Sequence, residues 1–443
     1  MIFSDHYMYS FYCLSSKIYN FCYCSDIMMK RELIEDFFSR EIVFRGVERE
    51  LNVLAKGEVS KVISVIGPRR VGKTWYFYSL IGRLSNPMYV DFEDIAFRNI
   101  EIEDFFNIIK IFTELKYNPK SILLDEVQVL SGWSVLVRSL HDRGYRVFVT
   151  GSSSKLLPME ISTELRGRTV SYILLPFSFR EFLKAKGEVV DVYTFEGRGV
   201  ILKLLKEFLY YGSYPEVVLS LDKDRILREY FNEIFYRDFV ERHGIKSIEF
   251  GRFLFEFSFQ NFSREISLRR IRDYFGRRVS DTTLYDYVDK LQETLNIFFV
   301  ERFSESIYRR RSWPRKIYVC DTGISRIIRT SEDVGKLMEN SVFLELLRRK
   351  NYDPLIEIYY WRDVRGEVDF IVKSGLEIRE LIQVTYASSR DEIDVREIKS
   401  LVKVGELLKC KHLLIITWDY EDKLKLDNNI ISFTPMWKWL IKS

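Results

Sequence analysis

Histidine and glutamine are scarce in this chain of 443 residues, at four each, and its five cysteines make no pattern. Cys13, Cys22 and Cys24 fall near the start while Cys320 and Cys410 stand alone, so neither a zinc-ligand spacing nor a disulfide framework emerges. Nine prolines and 21 glycines beside 47% hydrophobic residues exclude disordered and collagen-like chains. No run of about 18 apolar residues occurs, and the first residues lack the charged-then-apolar layout of a signal peptide, so a membrane span is not expected and a cytoplasmic protein is. Neither sign of charge dominates. Sixty-eight Lys plus Arg against 64 Asp plus Glu leave +4, so any nucleic-acid surface must be local. Few Gln and His beside heavy Lys, Arg, Glu and Ile usage is a bias of intracellular proteins from heat-loving organisms.

What is present is length enough for roughly three domains of about 150 residues. Residues 1–28 are rich in Tyr, Phe and Cys without helical or strand period, unlike the amphipathic sequence from Met29 onward. They read as a non-native upstream extension, with a poorly ordered arm as the alternative. Between Lys61 and Phe182 short β-rich runs (KVISVIG, PMYVDFED, SILLDEV, RVFVTGS, SYILLP) alternate with helical stretches, the rhythm of a parallel sheet covered by helices. Residues 201–261 have helical apolar spacing, broken at Gly212 and Pro215, and read as a helical lid or connector. Two helical runs, LRRIRDYF and TTLYDYVDKLQETL, then strands IFFVERF and KIYVCD, fit a winged helix-turn-helix. A mixed α/β segment closes the chain.

The strongest motif is KVISVIGPRRVGKTW, in which Gly67, Gly72, Lys73 and Thr74 fill the fixed positions of the G-x-x-x-x-G-K-[ST] phosphate loop after an apolar strand. Its backbone from Gly67 through Pro68, Arg69, Arg70, Val71 and Gly72 to Trp75 is expected to wrap the phosphates of ATP. Lys73 would reach the β- and γ-phosphates and Thr74 would offer its hydroxyl to Mg²⁺. Further on, the buried-type strand SILL ends in Asp125-Glu126, at the sheet edge where such folds bind ligands. Asp125 is the expected Mg²⁺-side carboxylate, and Glu126 the group that orients and deprotonates water. The strand RVFVTGSSS places Thr150, Gly151 and Ser152 at the same edge, where one of them would contact the γ-phosphate or the attacking water, with Ser152 the expected sensor. Arg168, before SYILLP, can neutralise transition-state charge from the same or a neighbouring subunit, the second of which requires a homo-oligomer.

Taken in order, FRGVEREL, GPRRVGKT, YVDFED, LLDEVQ, VTGSSS, LRGR with LLPFSFREF, YGSYPEV, YRD, SDTTLYDYVDKL, KIYVCDTG, GKLMEN, GEVDFIV and LIQVTY make the chain resemble a family of archaeal and bacterial AAA+ ATPases. Those proteins carry a C-terminal domain of unknown function with a nuclease-like fold. The resemblance implies an α/β architecture: an AAA+ P-loop NTPase core over 29–190, a helical lid over 191–260, a winged helix over 261–330 and a restriction-endonuclease-like domain over 331–443. It also makes Arg168 the arginine-finger candidate. In the C-terminal part, Glu339, Asp369 and Gln383 match positions that hold a second divalent metal. The family's E-x-K step reads Gln383-x-Thr385 here, and threonine cannot supply lysine's charge, so nuclease activity is expected to be lost.

Arginines 264, 269, 270, 272, 277 and 278 before the second winged-helix run, and Arg309, Arg310, Arg311, Arg315 and Lys316 after it, are the expected contacts to DNA. Aspartates 273, 281, 286 and 289 among them offer pairing on a solvated face instead. The resulting expectation is a Mg²⁺-dependent ATPase acting on or with DNA. The alternatives are a nucleotide-switched protein-interaction module and an ATP-gated metal-dependent nuclease.

Overall fold

The computed structural model describes residues 30–54, 61–152, 163–188, 191, 194–276, 279–364, 366–426 and 429–442. The 1–28 leader, Arg277, Arg278 and the side chain of Ser152 lie outside the described residues.

Five strands, β1 (Val62–Gly67), β2 (Pro87–Asp91), β3 (Ser121–Asp125), β4 (Arg146–Ser152) and β5 (Thr169–Ile173), form a sheet in the order β2-β3-β4-β1-β5. Every pairing in it is parallel. The β1 sequence VISVIG is buried throughout because both faces of a parallel sheet are covered. Val62 and Ile66 enter one core with Ile34, Ile108 and Leu136, from helices α1 (30–39), α3 (Phe105–Leu115) and α4 (Trp133–Asp142). Ile63 and Val65 enter the opposite core with Tyr76, Phe77 and Leu80 of α2 (Lys73–Ile81). All five strands run the same way, so Gly67, Asp91, Asp125 and Ser152 share one edge.

Helix α5 (Phe179–Lys186) opens on a capping box in which Ser178 accepts from the Glu181 N–H and Glu181 accepts from the Ser178 N–H. Helices α6 (Phe195–Tyr211), α7 (Pro215–Leu219), α8 (Lys223–Glu233) and α9 (Ile248–Gln260) follow. Residues Ile234–Glu241 continue α8 as a π-helical stretch, a rare geometry that concentrates at functional sites. The turn after α6 requires glycine. Gly212 has φ +76°, and an added Cβ would lie 1.9 Å from Asp321 Oδ1.

Next come β6 (Arg264–Ile266), α10 (Leu268–Phe275), α11 (Asp281–Glu293), β7 (Ile297–Glu301), α12 (Ile307–Ser312) and β8 (Arg315–Val319), with an antiparallel three-stranded sheet in the order β6-β8-β7. The connection between the antiparallel strands β7 and β8 carries the helical turn α12, capped by the Ser306 hydroxyl.

After α13 (Thr322–Ser325), helix α14 (Val334–Arg349) packs against a six-stranded sheet. Its strands are β9 (Ile356–Asp363), β10 (Gly366–Ser374), β11 (Glu377–Val384), β12 (His412–Thr417), β13 (Asp422–Leu426) and β14 (Asn429–Pro435), in the order β13-β14-β12-β11-β10-β9. The β11–β12 and β12–β14 pairs are parallel and the others antiparallel. Helix α15 (Val395–Leu407) links β11 to β12, and α16 (Met436–Lys442) ends the fold. One continuous hydrophobic core joins Phe77, Phe208, Tyr318, Phe343 and Trp437, so the nucleotide-type sheet, the helices and both later sheets are packed as one body. Among the described residues no helix is long and apolar enough to cross a membrane.

Candidate functional site

The loop from Gly67 to Thr74 leaves β1 at the carboxyl edge and feeds α2. At Gly67 a Cβ would lie 2.2 Å from the Leu174 carbonyl oxygen, so the loop passes where only glycine fits. Gly72 has φ +88° and sets up the first turn of α2, whose free N–H groups form an anion site. Lys73 is buried, its Nζ donating to the carbonyls of Pro68 (3.1 Å) and Gly67 (3.3 Å). Burial lowers its pKa, against the opposing pull of Glu126 and Asp125.

Asp125 ends β3 fully buried, and burial raises its pKa. Three hydroxyls hold it: Tyr89 donates to Oδ2 at 3.0 Å, Thr150 donates to Oδ1, and Thr74 bonds to it as well. Thr74 and Asp125, one from each side of the sheet edge, thus present a hydroxyl and a carboxylate together, a donor set that suits Mg²⁺. Glu126 follows with φ +47°, its N–H donating to Asp125 Oδ1 (3.1 Å) and Thr150 Oγ1 (3.2 Å). This left-handed turn points its side chain at the phosphate loop, where Glu126, Lys73, Thr74 and Trp75 line a cavity of about 720 Å³. That volume suits a nucleotide-sized ligand. Half-exposed Trp75 meets Phe44 edge-on at 6.4 Å on its rim.

Thr150 turns toward Asp125, so of the three candidates at this edge its hydroxyl is committed to the carboxylate. Ser152 pairs with Gly67 in register at the same edge. Arg168 does not join them. It precedes β5, its carbonyl accepts from Val62 N–H at the amino end of β1, and its guanidinium lies 3.6 Å from Asp142. The length of β1 separates it from the loop by roughly 17 Å. The same-subunit half of the Arg168 expectation is therefore corrected, and only a neighbouring copy's site lies open to it.

Asp238, on the π-helical stretch, was not singled out from the sequence as a site residue. Arg69 Nε donates to its Oδ1 at 2.6 Å, while Arg70 donates to both carboxylate oxygens of Glu233 at 3.1 and 3.2 Å. Both loop arginines thus reach across to the helical segment after α7 while still lining the cavity beside Lys73 and Glu126. The only sequence signal for Asp238 was the YRD tripeptide.

The C-terminal residues Glu339 (α14), Asp369 (β10) and Gln383 (β11) do come together, around a cation that the sequence reading had assigned to DNA. Lys316 of β8 is 3% exposed, and its Nζ lies 2.8 Å from Glu339, 2.9 Å from Asp369 and 3.1 Å from Glu367. Burial opposes its charge, but Asp369 and Glu339 outweigh burial and hold its pKa well above the usual lysine value. Lys316 is thereby removed from the set of DNA-facing basic residues. The second-metal expectation at Glu339, Asp369 and Gln383 is corrected too: an ammonium stands between the carboxylates, Gln383 Oε1 accepts from the Asp369 N–H at 3.3 Å, and among the described residues no group of three or more His, Cys, Asp or Glu is arranged to hold a metal. Lys316 shares one face of β8 with Tyr318, but the strand is buried on both faces from Lys316 to Val319, so alternation in RKIYVC does not single it out.

The arginine-rich unit also differs from expectation. Arg269, Arg270, Arg309 and Arg311 are exposed, but Arg310 stacks over Tyr359 and Arg272 pairs with Asp273 and Asp281. Helix α11 shows solvent Asp281, Asp286 and Asp289.

Residues 59–183 match the model of an AAA domain, and two further models, each a domain of unknown function, match 202–333 and 334–439. An uncharacterized protein of Methanocaldococcus jannaschii is 36% identical over 396 residues, spanning 86% of this chain and 88% of that one. An uncharacterized protein of Haemophilus influenzae is 27% identical over 400 residues, spanning 85% and 93%. A solved Walker-type ATPase of Pyrococcus abyssi is similar at a TM-score of 0.39 and 13% identity, over 65% of this chain and 99% of that one, too low to add to the sequence matches.

Proposed function

This chain belongs to the family of the Methanocaldococcus jannaschii protein, opened by an AAA-type P-loop domain, and on that premise we propose that it is a Mg²⁺-dependent ATPase whose nucleotide state is felt by the helices after Gly212. The observation that carries this reading is the single cavity shared by the phosphate loop, Glu126 and the segment bearing Glu216 and Glu233. Lys73 and the first N–H groups of α2 bind the phosphates, and Thr74 with Asp125 would hold Mg²⁺, which when bound spreads charge from the β- and γ-phosphate oxygens. Glu126 orients the attacking water and accepts its proton, while Tyr89 and Thr150 keep Asp125 in place. Ser152 ends its strand beside the loop and takes the sensor role. Trp75 and Phe44 offer the base an aromatic rim. Arg168 acts across a homo-oligomer, on a neighbouring copy's nucleotide.

Residues 191–260 serve as the lid, 261–330 as a winged helix and 331–443 as a nuclease-like domain. DNA is the proposed partner of the winged helix, through exposed Arg269, Arg270, Arg309 and Arg311. A second reading, docking of another protein, is favoured by the aspartates on α11, which phosphates would repel.

The test is ATP turnover, with and without double-stranded DNA. Lys73→Ala should abolish turnover, and Glu126→Gln should slow it by about 10²-fold or more while nucleotide still binds. Turnover unchanged in both would remove the ATPase assignment.

A further inference from the structure

We propose that the C-terminal carboxylate cluster carries its own cation: the ammonium of Lys316 stands where the nuclease resemblance calls for a divalent metal, and the cluster works as a joint between the three-stranded and six-stranded sheets. An ammonium has three donors and no acceptor. Here three carboxylates surround Lys316 Nζ, those of Glu339 (2.8 Å), Asp369 (2.9 Å) and Glu367 (3.1 Å). Further donors and acceptors meet the same cluster, at Glu339 on the oxygen that faces Lys316. Asp369 Oδ2 accepts from the Val384 N–H at 3.0 Å, Glu339 Oε1 accepts from the Tyr318 hydroxyl at 2.6 Å, and Gln383 Oε1 accepts from the Asp369 N–H.

The spacing follows the ammonium. Mg²⁺ demands oxygens near 2.0–2.1 Å in octahedral order, and carboxylates arranged about a nitrogen at 2.8 Å and beyond stand too far out to meet that. Nor can the cation leave by diffusion. Lys316 sits in β8, which is bonded to β6 on one side and β7 on the other, and its side chain is 3% exposed. Withdrawing it would shift a whole strand. Its partners lie on α14 and β10, so the ammonium ties the six-stranded unit to the sheet of the arginine-rich unit. A buried charge with all partners in place fixes one arrangement of two units and is costly to unpair.

This inference is independent of the ATPase reading, and its test uses full-length protein without nucleotide. Mn²⁺ uptake is followed by equilibrium dialysis and by the electron paramagnetic resonance of free Mn²⁺. Wild type and Asp369→Asn should take up the same amount. Lys316→Met should gain about one equivalent, lost again in Lys316→Met/Asp369→Asn, and its melting temperature should rise with Mn²⁺ where that of wild type does not. Uptake by wild type that disappears in Asp369→Asn would overturn the proposal, a comparison that holds even where Lys316→Met does not fold. A folded Lys316→Met that gains no Mn²⁺ would overturn it as well.

Discussion

Arg69 of the phosphate loop donates to Asp238 of the π-helical stretch at 2.6 Å, and Asp238 is completely buried while Arg69 is one-third exposed. The pair spans 169 positions of sequence. The second oxygen of Asp238 is buried without a hydrogen-bond partner among the described residues, so Arg69 is its principal compensation. Burial raises the pKa of Asp238, and Arg69 pulls it back. A carboxylate whose folded pKa is raised takes up protons on folding, so its contribution falls as pH rises above the unfolded value. In Arg69→Ala the opposing charge is gone and that fall extends to higher pH. The expected result is a melting-temperature gap between wild type and Arg69→Ala that widens from pH 5 to pH 8, with a cost of about 1–3 kcal/mol at the upper end. A gap independent of pH would show that Arg69 does not compensate Asp238.

Gly212 ends α6 at φ +76°, against Asp321, whose Oδ2 accepts from the Ser213 N–H at 2.6 Å. Gly212→Ala combines backbone strain with a collision 1.9 Å from Asp321 Oδ1, and should cost more than about 3 kcal/mol by denaturant midpoint. Gly199 lies within the same helix with nothing within 4 Å of its Cβ position. There alanine should stabilise by about 0.5–1 kcal/mol. Equal effects at the two positions would remove the Asp321 contact as the cause.

His243 is part-buried beside Phe239, its Nδ1 3.5 Å from a Glu293 carboxylate oxygen and its Nε2 without a hydrogen-bond partner among the described residues, and burial lowers its pKa to about 4. A histidine depressed below its unfolded value of 6.5 stabilises the fold at neutral pH, and that contribution is lost as pH falls from 6.5 toward 4. Wild type should lose on the order of 1–2 kcal/mol across this window from this group, less than the full shift implies because the residue is only partly buried and solvent screens it. His243→Phe should lose correspondingly less, read as a flatter melting temperature against pH; parallel curves would assign the acid sensitivity elsewhere.

That the loop from Gly67 to Thr74, Asp125 and Glu126 come to one sheet edge is legible in the sequence because the geometry is local: the loop is a run of consecutive residues, and a strand's direction brings its carboxyl end beside it. Arg168 was equally open to that reasoning, since a residue that precedes a parallel strand lies at the amino edge, away from its own chain's phosphates. Its role was drawn instead from a motif that says nothing of which subunit it serves. Asp238 and Lys316 could not be read this way. Each is defined by a partner on another element, 169 positions away for Asp238, and for Lys316 by carboxylates as far as 53 positions away that meet it only when the three-stranded and six-stranded sheets pack together. In sequence Lys316 is one more basic residue in an arginine-rich run, and only burial changes its meaning.

The same burial narrows what the arginine-rich unit can present to DNA. Lys316 is spent on carboxylates, Arg310 is laid over Tyr359, and Arg272 is paired with Asp273 and Asp281, which among the described residues leaves exposed Arg264 on β6, Arg269 and Arg270 on α10 and Arg309 and Arg311 on α12. Helix α11 carries exposed Asp281, Asp286 and Asp289, and its Lys290 is held by Asp286 at 2.8 Å. A helix with that face is repelled by the phosphates lining a groove, so backbone contact through α10 and α12 is the arrangement that the charges allow. Each arginine on a phosphate releases about one counterion, so Arg309→Glu/Arg311→Glu should weaken binding across unrelated sequences and reduce the slope of log K against log salt by about two. Asp286→Asn should change affinity little on this footprint, whereas groove insertion of α11 requires it to tighten binding. Affinity and salt slope that stay at wild-type values in the double charge reversal would take α12 out of the DNA footprint and leave protein docking as the function of this unit.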